Sequence, residues 1–392
     1  MVNYNMKLAA ALRLRHGAHV ALLQAGGDSY LVARDGRSGR THDNRAPVVR
    51  LLQSDPRACK NKVVFTSHPP NHAEKGMARM CGVRTIGYLQ GPTERWHDMR
   101  RSGYNDTPQT GTTLGYRDWF NRPQLERARI ERWLRNQNIR YQWAEGSRGH
   151  SGAGAPTAEQ SRLITDLGTI DGHQIDRTAR DTVGMLLAFA VVEAVHGRYR
   201  NNPQRGRGYH GQNIGGVLVG GDARLLAWGV NTNVSNTTLH GEVNIVQFFQ
   251  AKTGGAQLPS RGTLFTTLEP CEMCSGMLHV TTPGNFRVIC GQKDPNLGWT
   301  ALRSGSKGSQ MSMSRGPILP GVTWSDLLDA RLGASGTFAT RFLEQKETAT
   351  LLGDAHAMLY HMAKLYLSGD ALKRWRQTLA QFLEGVRGGM GG

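Results

Sequence analysis

Two short motifs place the strongest constraint on how this chain can fold. Residues 240–242 (HGE) begin one predicted helix, and residues 270–274 (PCEMC) begin another. Cys271 and Cys274 then lie on one helical turn, where the positive end of the helix favours the deprotonated, metal-binding form of a thiol. Together with His240 they fill three positions of a tetrahedral zinc site and leave the fourth for water. The motifs therefore predict a catalytic zinc centre.

A glutamate completes the chemistry of this predicted centre. Glu242 lies two residues after His240, on the same first turn, so it can reach the zinc-bound water without being a ligand. Its expected role is to move a proton from that water to the substrate. A purely structural zinc would need a fourth protein ligand, and neither Cys290 nor His279 is well spaced to supply one.

The segments around the motifs alternate between helical and extended patterns. We predict helices at 178–197, at 240–252 and from near Cys271, and strands at 215–219, 225–231, 263–268 and 286–291. Short, strongly apolar strands that alternate with helices indicate a sheet covered on both faces. The fold class is therefore α/β, as a three-layer α/β/α sandwich.

The paired motifs H-x-E and P-C-x-x-C resemble the signature of the cytidine-deaminase-like zinc deaminase superfamily. The longer run 267–274 (TLEPCEMC) and the turn 291–295 (GQKDP) are most similar to the branch of bacterial tRNA adenosine deaminases. The resemblance covers about 175–300 and implies that Asn231 contacts the substrate. Gly241 stands where that branch usually has alanine, and we expect the glycine to be tolerated.

The N-terminal part resembles a second copy of the same fold. Residues 63–77 align with 263–277 at a constant offset, but Asn71 and Glu74 occupy the two cysteine positions and Asn44 occupies the glutamate position. This predicts a pseudo-catalytic domain that supports the active domain or presents a nucleic-acid-binding surface. Two alternatives stay open. One is that the similarity arises by chance, and the other is that His42 and Glu74 bind a metal together with His68 or His72.

These observations give the predicted domain organisation. A deaminase-like pseudo-catalytic domain covers 1–146, a Gly/Ser-rich linker covers 147–174, the catalytic domain covers 175–322, and a helical C-terminal extension covers 323–392. Within these domains we predict a long loop at 303–320 and helix breaks near 353 and 369. No apolar run of transmembrane length and no secretory signal is expected.

The charge of the chain favours a polyanionic partner. Its 392 residues include 48 Lys and Arg against 30 Asp and Glu, a net charge of +18. Cations placed against phosphates release counterions, so this excess indicates nucleic acid, although charge could also serve solubility alone. Five cysteines, two of them in a CxxC, indicate a reducing compartment and a metal or redox use for that pair, so we expect a cytoplasmic protein.

One segment combines cations with an aromatic side chain, as single-stranded nucleic-acid sites do. We predict substrate contacts for Arg198, Arg200, Arg205, Arg207 and Tyr209. Further basic faces are predicted on the helix at 122–137 and around 373–376.

The sequence thus predicts a zinc-dependent hydrolase that deaminates a base within nucleic acid. Adenosine in a tRNA-like RNA is favoured over cytosine in DNA or RNA, and the base would be flipped out or single-stranded. Two alternatives are a deaminase of free nucleotides or nucleobases and a catalytically silent nucleic-acid-binding scaffold. We expect no membrane partner, and either a homodimer or a pseudo-dimer within one chain.

Overall fold

The chain forms two compact units, Met1–Arg148 and Gly149–Gly392, which we call unit 1 and unit 2. The computed structural model describes residues 4–35, 46–90, 93–99, 109–113, 123–144, 152–168, 177–196, 211–212, 214–234, 236–255, 257–282, 285–292, 294, 311–315, 317–319, 322–323 and 346–390.

Unit 1 is built on a seven-stranded sheet in the order β6-β5-β4-β3-β1-β2-β7. Its described helices are α1 (Tyr4–His16), α2 (Pro47–Ser54), α3 (His72–Met80) and α4 (Pro123–Asn136). Its strands are β1 (Val20–Gly26), β2 (Ser29–Arg34), β3 (Val63–Thr66), β4 (Thr85–Gln90), β5 (Thr93–Asp98), β6 (Gln109–Thr113) and β7 (Arg140–Trp143).

Unit 2 is built on a six-stranded sheet in the order β13-β12-β11-β9-β10-β8. Its described helices are α5 (Arg177–His196), α6 (Gly241–Thr253), α7 (Glu272–Thr281), α8 (Lys346–Tyr366) and α9 (Gly369–Gly389). Its strands are β8 (Ala153–Gly154), β9 (Gly215–Val219), β10 (Leu225–Val230), β11 (Thr263–Leu268), β12 (Phe286–Gln292) and β13 (Met311–Arg315), with a separate hairpin of β14 (Pro317–Leu319) and β15 (Val322–Thr323).

The two sheets repeat one arrangement of four strands. In unit 1 the order β2-β1-β3-β4 consists of two antiparallel pairs followed by a parallel pair. In unit 2 the order β10-β9-β11-β12 has the same sequence of directions. This repetition is what two tandem copies of one fold produce, in agreement with the sequence prediction.

Unit 2 has the predicted three layers. The ring of Phe265 on β11 lies against Gly184 of α5, whereas the next residue, Thr266, donates a hydrogen bond to Glu242 of α6. Because successive side chains of a strand point to opposite faces, α5 and α6 cover opposite faces of the sheet. The α/β fold class is confirmed.

Helix α5 is the centre of the core of unit 2. Every residue from Asp181 to Val192 is buried, which requires cover on all sides of the helix. The sheet supplies it on one side and the C-terminal helices α8 and α9 on the other, with Leu359 and Phe382 in the same apolar cluster. The helical C-terminal region is therefore present, and it shares the core of unit 2.

The segment predicted to be a linker is partly structured. Strand β8 pairs with the edge of β10, and Leu163, Ile164 and Leu167 belong to the core of unit 2. The burial of these three apolar side chains outweighs the flexible composition of the flanking residues. The finer domain boundaries stay a prediction.

Two local predictions are wrong. Part of the loop predicted at 303–320 is strand β13, which adds to β12 in parallel. The break expected near Gly353 is absent because α8 continues to Tyr366, and a helical glycine costs only about 1 kcal/mol. The next break is at Gly369, whose φ of 54° marks the start of α9.

Within the described ranges, no helix combines the length and the apolar composition needed to cross a bilayer.

Candidate metal and active site

Three metal-ligand side chains converge where helices α6 and α7 begin. His240 is the N-cap residue of α6, and Cys271 is the N-cap residue of α7, both with extended backbone. Cys274 follows on the first turn of α7. Strand β11 ends just before Cys271 and contacts α6 through Thr266, so it brings the two helix starts together. All three side chains are buried.

The distances between the donor atoms fit a zinc ion. The two sulfur atoms lie 3.5 Å apart, and Nδ1 of His240 lies 3.5 Å from Sγ of Cys271 and 3.6 Å from Sγ of Cys274. Tetrahedral bonds of about 2.3 Å to sulfur and about 2.0 Å to nitrogen require edges of about 3.8 Å and 3.6 Å. The donors therefore form one face of a tetrahedron and leave its fourth corner open.

Glu242 is buried next to this triangle. Its Oε1 accepts a hydrogen bond of 3.0 Å from the Thr266 hydroxyl, and its Oε2 lies 3.4 Å from Sγ of Cys274. One carboxylate oxygen is thus anchored to the sheet, and the other lies on the metal side. Burial, followed by the charge of Cys271, raises the pKa of Glu242.

Residues 207–309, which hold all of these side chains, match the family of Bd3614-like deaminases. Unit 2 contains a deaminase domain of the cytidine-deaminase-like superfamily. No curated protein matches the chain.

Two solved structures are similar to parts of the chain. One comes from work on A-to-I editing by tRNA:A34 deaminases at the wobble position of transfer RNA. It is 25% identical and covers 32% of this chain and 88% of that chain, with a TM-score of 0.25. The other is guanine deaminase from Nitrosomonas europaea, 15% identical, covering 52% of this chain and 94% of that chain, with a TM-score of 0.28.

The two cysteines of the deaminase domain differ in acidity. The hydrogen bond with Cys274 holds the pKa of Cys271 well below its usual value, and the charge of His240 acts in the same direction. Burial and the same hydrogen bond raise the pKa of Cys274. A cation held by both sulfur atoms requires both thiolates, so metal binding displaces the proton from Cys274.

Glycine packing sets the position of helix α6 in the deaminase domain. A Cβ at Gly241 would lie 3.0 Å from Cα of Gly215 and 3.2 Å from the carbonyl oxygen of Ile214. Both neighbours are backbone atoms, which cannot rotate away. The departure from alanine at this position is accommodated, because glycine lets the start of α6 approach strand β9 closely.

Asn231 lies between the second strand of the hairpin and the start of α6. Its Oδ1 accepts a hydrogen bond of 2.6 Å from the backbone N–H of Gly241, and this bond fixes the orientation of the amide. Its Nδ2 is buried without a partner among the described residues. The predicted contact of Asn231 with the substrate stays a prediction.

The arginine-rich segment predicted to contact nucleic acid lies outside the described residues. This applies to Arg198, Arg200, Arg205, Arg207 and Tyr209. Two other basic faces are described and exposed. One is on α4, and the other is on α9, where the guanidinium group of Arg376 lies 4.3 Å from the ring centre of Tyr360.

Sequence reasoning missed three side chains that support the deaminase site. Thr266 holds Glu242, Thr267 accepts a hydrogen bond from the N–H of Gly215, and the Glu269 carboxylate accepts one from the N–H of Asp294. The signal was present in strand β11, where threonines interrupt an otherwise apolar run. A buried hydroxyl needs a partner, and here the partners surround the active site.

The corresponding helix start in unit 1 has no cysteines in these positions. Asn71 is the N-cap residue of α3, and its side chain and that of Glu74 form reciprocal hydrogen bonds with the backbone. The buried Glu74 carboxylate also accepts a bond from the N–H of Val48 and forms an ion pair of 3.0 Å with His68. Burial opposes a charge on His68, but the charge of Glu74 prevails and raises its pKa.

The possibility of a second metal site in unit 1 finds no support in the described part of that unit. There, no three His, Cys, Asp or Glu side chains come close enough to hold an ion. His42 and Asn44 lie outside the described residues.

Proposed function

We propose that this protein is a zinc-dependent hydrolytic deaminase that acts on a base within nucleic acid, with adenosine in a tRNA-like RNA favoured over cytosine. The observation that carries the proposal is the buried triangle of His240, Cys271 and Cys274 with the carboxylate of Glu242 beside it. The match of residues 207–309 to a deaminase family supports the reaction class.

The donor set fits zinc, which would be held by His240, Cys271 and Cys274. When bound, zinc supplies an activated water as the nucleophile. In hydrolytic deamination, water replaces the amino group of the base and ammonia leaves.

Glu242 is the group that moves protons. Thr266 fixes Oε1, so Oε2 is the oxygen that faces the reacting atoms. Burial raises the pKa of this carboxyl group, so it can hold a proton between transfers. It would carry one proton of the water to a ring nitrogen, and then the second, from the hydroxyl group added to the base, to the amine that leaves as ammonia. Asn231 would orient the base through its buried Nδ2, while Oδ1 stays bonded to Gly241.

The net charge of +18 supports a polymeric substrate over a free base. Several exposed cations on α4 and α9 could contact phosphates, namely Arg127, Arg129, Arg132, Arg135, Lys373, Arg374 and Arg376.

The test is incubation of the zinc-loaded protein with mixed RNA and single- and double-stranded DNA, followed by deep sequencing for A-to-G and C-to-T changes. Glu242→Ala should retain zinc and nucleic-acid binding but lose deamination, whereas Glu384→Ala, at an exposed position on α9, should behave as wild type. Editing by Glu242→Ala at the wild-type rate would refute the assigned role of Glu242.

A salt titration separates a polymeric from a free substrate. Binding to a polynucleotide should weaken steeply between low and moderate salt, whereas turnover of a free base or nucleotide should change little. Turnover of free bases together with absent editing in the pooled nucleic acids would identify a deaminase of free nucleobases. Absent deamination of all these substrates would refute the enzymatic proposal.

A further inference from the structure

Unit 2 contains a cavity of about 290 Å³ at the sheet end opposite the metal ligands. Thr263, the first residue of β11, lines the cavity, whereas Leu268, the last, lies three residues before Cys271. The ring of Phe265 faces the cavity, and Thr266 faces Glu242 on the other side of the sheet. A ligand in this cavity would not contact the reacting base.

The lining of the cavity carries an excess of positive charge. Among the described lining residues, Arg180, Arg261 and Arg287 are cationic and one residue carries a carboxylate. That carboxylate, on Asp181, forms a two-fold hydrogen-bonded ion pair with Arg287. The pair fixes the guanidinium group of Arg287, and the described lining offers no second carboxylate that could neutralise Arg261.

The cavity also has an apolar wall and a definite size. Ile164, Val219 and Phe265 line it, and each of them is buried. Its volume corresponds to roughly ten water molecules, so a single phosphate ion would leave most of it unfilled. The volume lies near the lower end of the range typical of small-molecule sites, about 300–1,000 Å³. A ligand with an anionic group at one end and a flat, weakly polar ring at the other would match both parts of the lining.

Arg261 has an unusual backbone conformation. Its φ of 58° lies in the left-handed region, where glycine and asparagine are favoured over a long side chain. The residue bounds the turn that leads into β11, and its Cβ would lie 3.0 Å from a Cβ added at Gly221, which also lines the cavity. The turn thus presents a guanidinium group at a position where a smaller residue would be less strained.

We propose that this cavity binds the phosphate-bearing end of a nucleotide-sized ligand, either a free nucleotide or one nucleotide of a strand. Guanidinium groups bind phosphate oxygens in pairs of hydrogen bonds, and the apolar wall would pack against the base. The site is separate from the metal centre and does not depend on which base the enzyme deaminates.

The test uses the full-length protein and titration calorimetry with adenosine 5′-monophosphate, adenosine and a short 5′-phosphorylated single-stranded RNA. Arg261→Asn removes the charge and suits the left-handed backbone, so the fold is retained. Arg224→Gln is the matched control, because the substitution removes the same net charge. Arg224 is an exposed arginine in the neighbouring turn and does not line the cavity. Glu242→Ala serves as a second background, in which ligand turnover cannot obscure binding.

We expect wild type and Arg224→Gln to bind the monophosphate equally. Arg261→Asn should bind it at least tenfold more weakly. Wild type should bind adenosine at least tenfold more weakly than the monophosphate. If only the RNA shows the Arg261-dependent binding, the phosphate belongs to a strand. If neither does, or if Arg224→Gln weakens binding as much as Arg261→Asn, the cavity is not a phosphate site. The outcome is independent of the proposed deamination, which is read by sequencing.

Discussion

The starts of helices α3 and α7 occupy corresponding places in the two units but satisfy their buried polar groups in opposite ways. At α7, Cys271 and Cys274 contact the imidazole of His240 at distances that suit a shared cation. At α3, Asn71 and Glu74 form a capping box, and Glu74 is neutralised by His68. A metal ion would complete the first arrangement, whereas the second satisfies its buried polar groups with protein side chains.

This difference shows how the start of a buried helix can be stabilised without a metal site. A buried carboxylate needs hydrogen bonds and an opposite charge, and unit 1 supplies both with its own side chains. His68 corresponds to Leu268 in the alignment of the two copies. The positive charge in unit 1 therefore lies on the residues that connect β3 to α3. The ion pair stabilises this helix start with protein side chains alone.

Loss of one thiolate should have the largest effect on the difference between the two helix starts. Cys271→Ala should remove bound zinc and lower deamination by more than about 1,000-fold, because two protein ligands hold a catalytic metal poorly. Zinc content by mass spectrometry and editing by sequencing measure both effects. Cys59→Ala, which removes another buried thiol, from unit 1, is the control. Full zinc occupancy in Cys271→Ala would contradict the assigned ligands.

Removal of the Glu74 carboxylate should show that the stability of unit 1 depends on the ion pair between Glu74 and His68. Glu74→Ala should destabilise unit 1 by about 3 kcal/mol, because it leaves His68 and the N–H groups of Asn71 and Val48 without their acceptor. Hydrogen exchange across β3 and α3 measures the change. Glu131→Ala, which removes a partly exposed partner of Arg15, should cost less than about 1 kcal/mol. Equal effects of the two substitutions would show that the buried pair contributes no more than a surface pair.

Close packing at α6 should make the catalytic unit sensitive to one methyl group. Gly241→Ala should destabilise unit 2 by about 1–3 kcal/mol and weaken zinc retention, because the new Cβ meets backbone atoms of Gly215 and Ile214. Gly385→Ala is the matched control, since open space surrounds that position on α9 and a helical alanine is favoured. A Gly241→Ala protein with unchanged zinc affinity and thermal stability would contradict the close approach.

The smallest expected effect is a pH dependence confined to unit 1. Since the pKa of His68 is raised in the folded protein above its ordinary 6.5, its stabilising contribution is complete below pH 6.5 and is lost as the pH rises through the raised pKa. Burial lowers the pKa of His19 to about 4, so stability also falls as the pH drops from 6.5 towards 4.

His68→Gln should therefore flatten the decline in stability above pH 6.5, which for one proton is no steeper than about 1.4 kcal/mol per pH unit. Hydrogen exchange of unit 1 across this pH range measures the slope. His361→Gln, at an exposed position on α8, should leave the slope unchanged.

The catalytic unit could be predicted well from sequence because its signals are local. Strand 263–268 has the predicted bounds, and helix α5 differs from its prediction by one residue at each end. The donor residues were recognisable because metal ligation demands particular side chains at particular helix positions. The hydroxyl of Thr266 was not recognised, because its role depends on which face of β11 meets α6.

Long-range packing accounts for most of what the sequence did not indicate. Strand β13 pairs with β12 in parallel, and the two strands are separated by a long stretch of sequence. A local sequence pattern carries no sign of such a pairing. The apolar residues at 163–167 are too few for a periodic pattern, and their burial depends on α8 and α9, which lie about 200 residues later. In unit 1, the pairing of His68 with Glu74 also becomes visible only after the strand and the helix meet.

The indole N–H of Trp375 on α9 donates a hydrogen bond of 2.8 Å to the carbonyl oxygen of Leu163, which joins the beginning of unit 2 to its end. Residues near both ends of unit 2 therefore pack in the same core as α5, whereas the proposed metal-binding motifs lie between them in the sequence. An expression fragment limited to 175–322 would uncover the apolar surface of α5 and would be prone to aggregate. For isolating the catalytic part, the smallest self-contained piece of polypeptide is therefore 149–390.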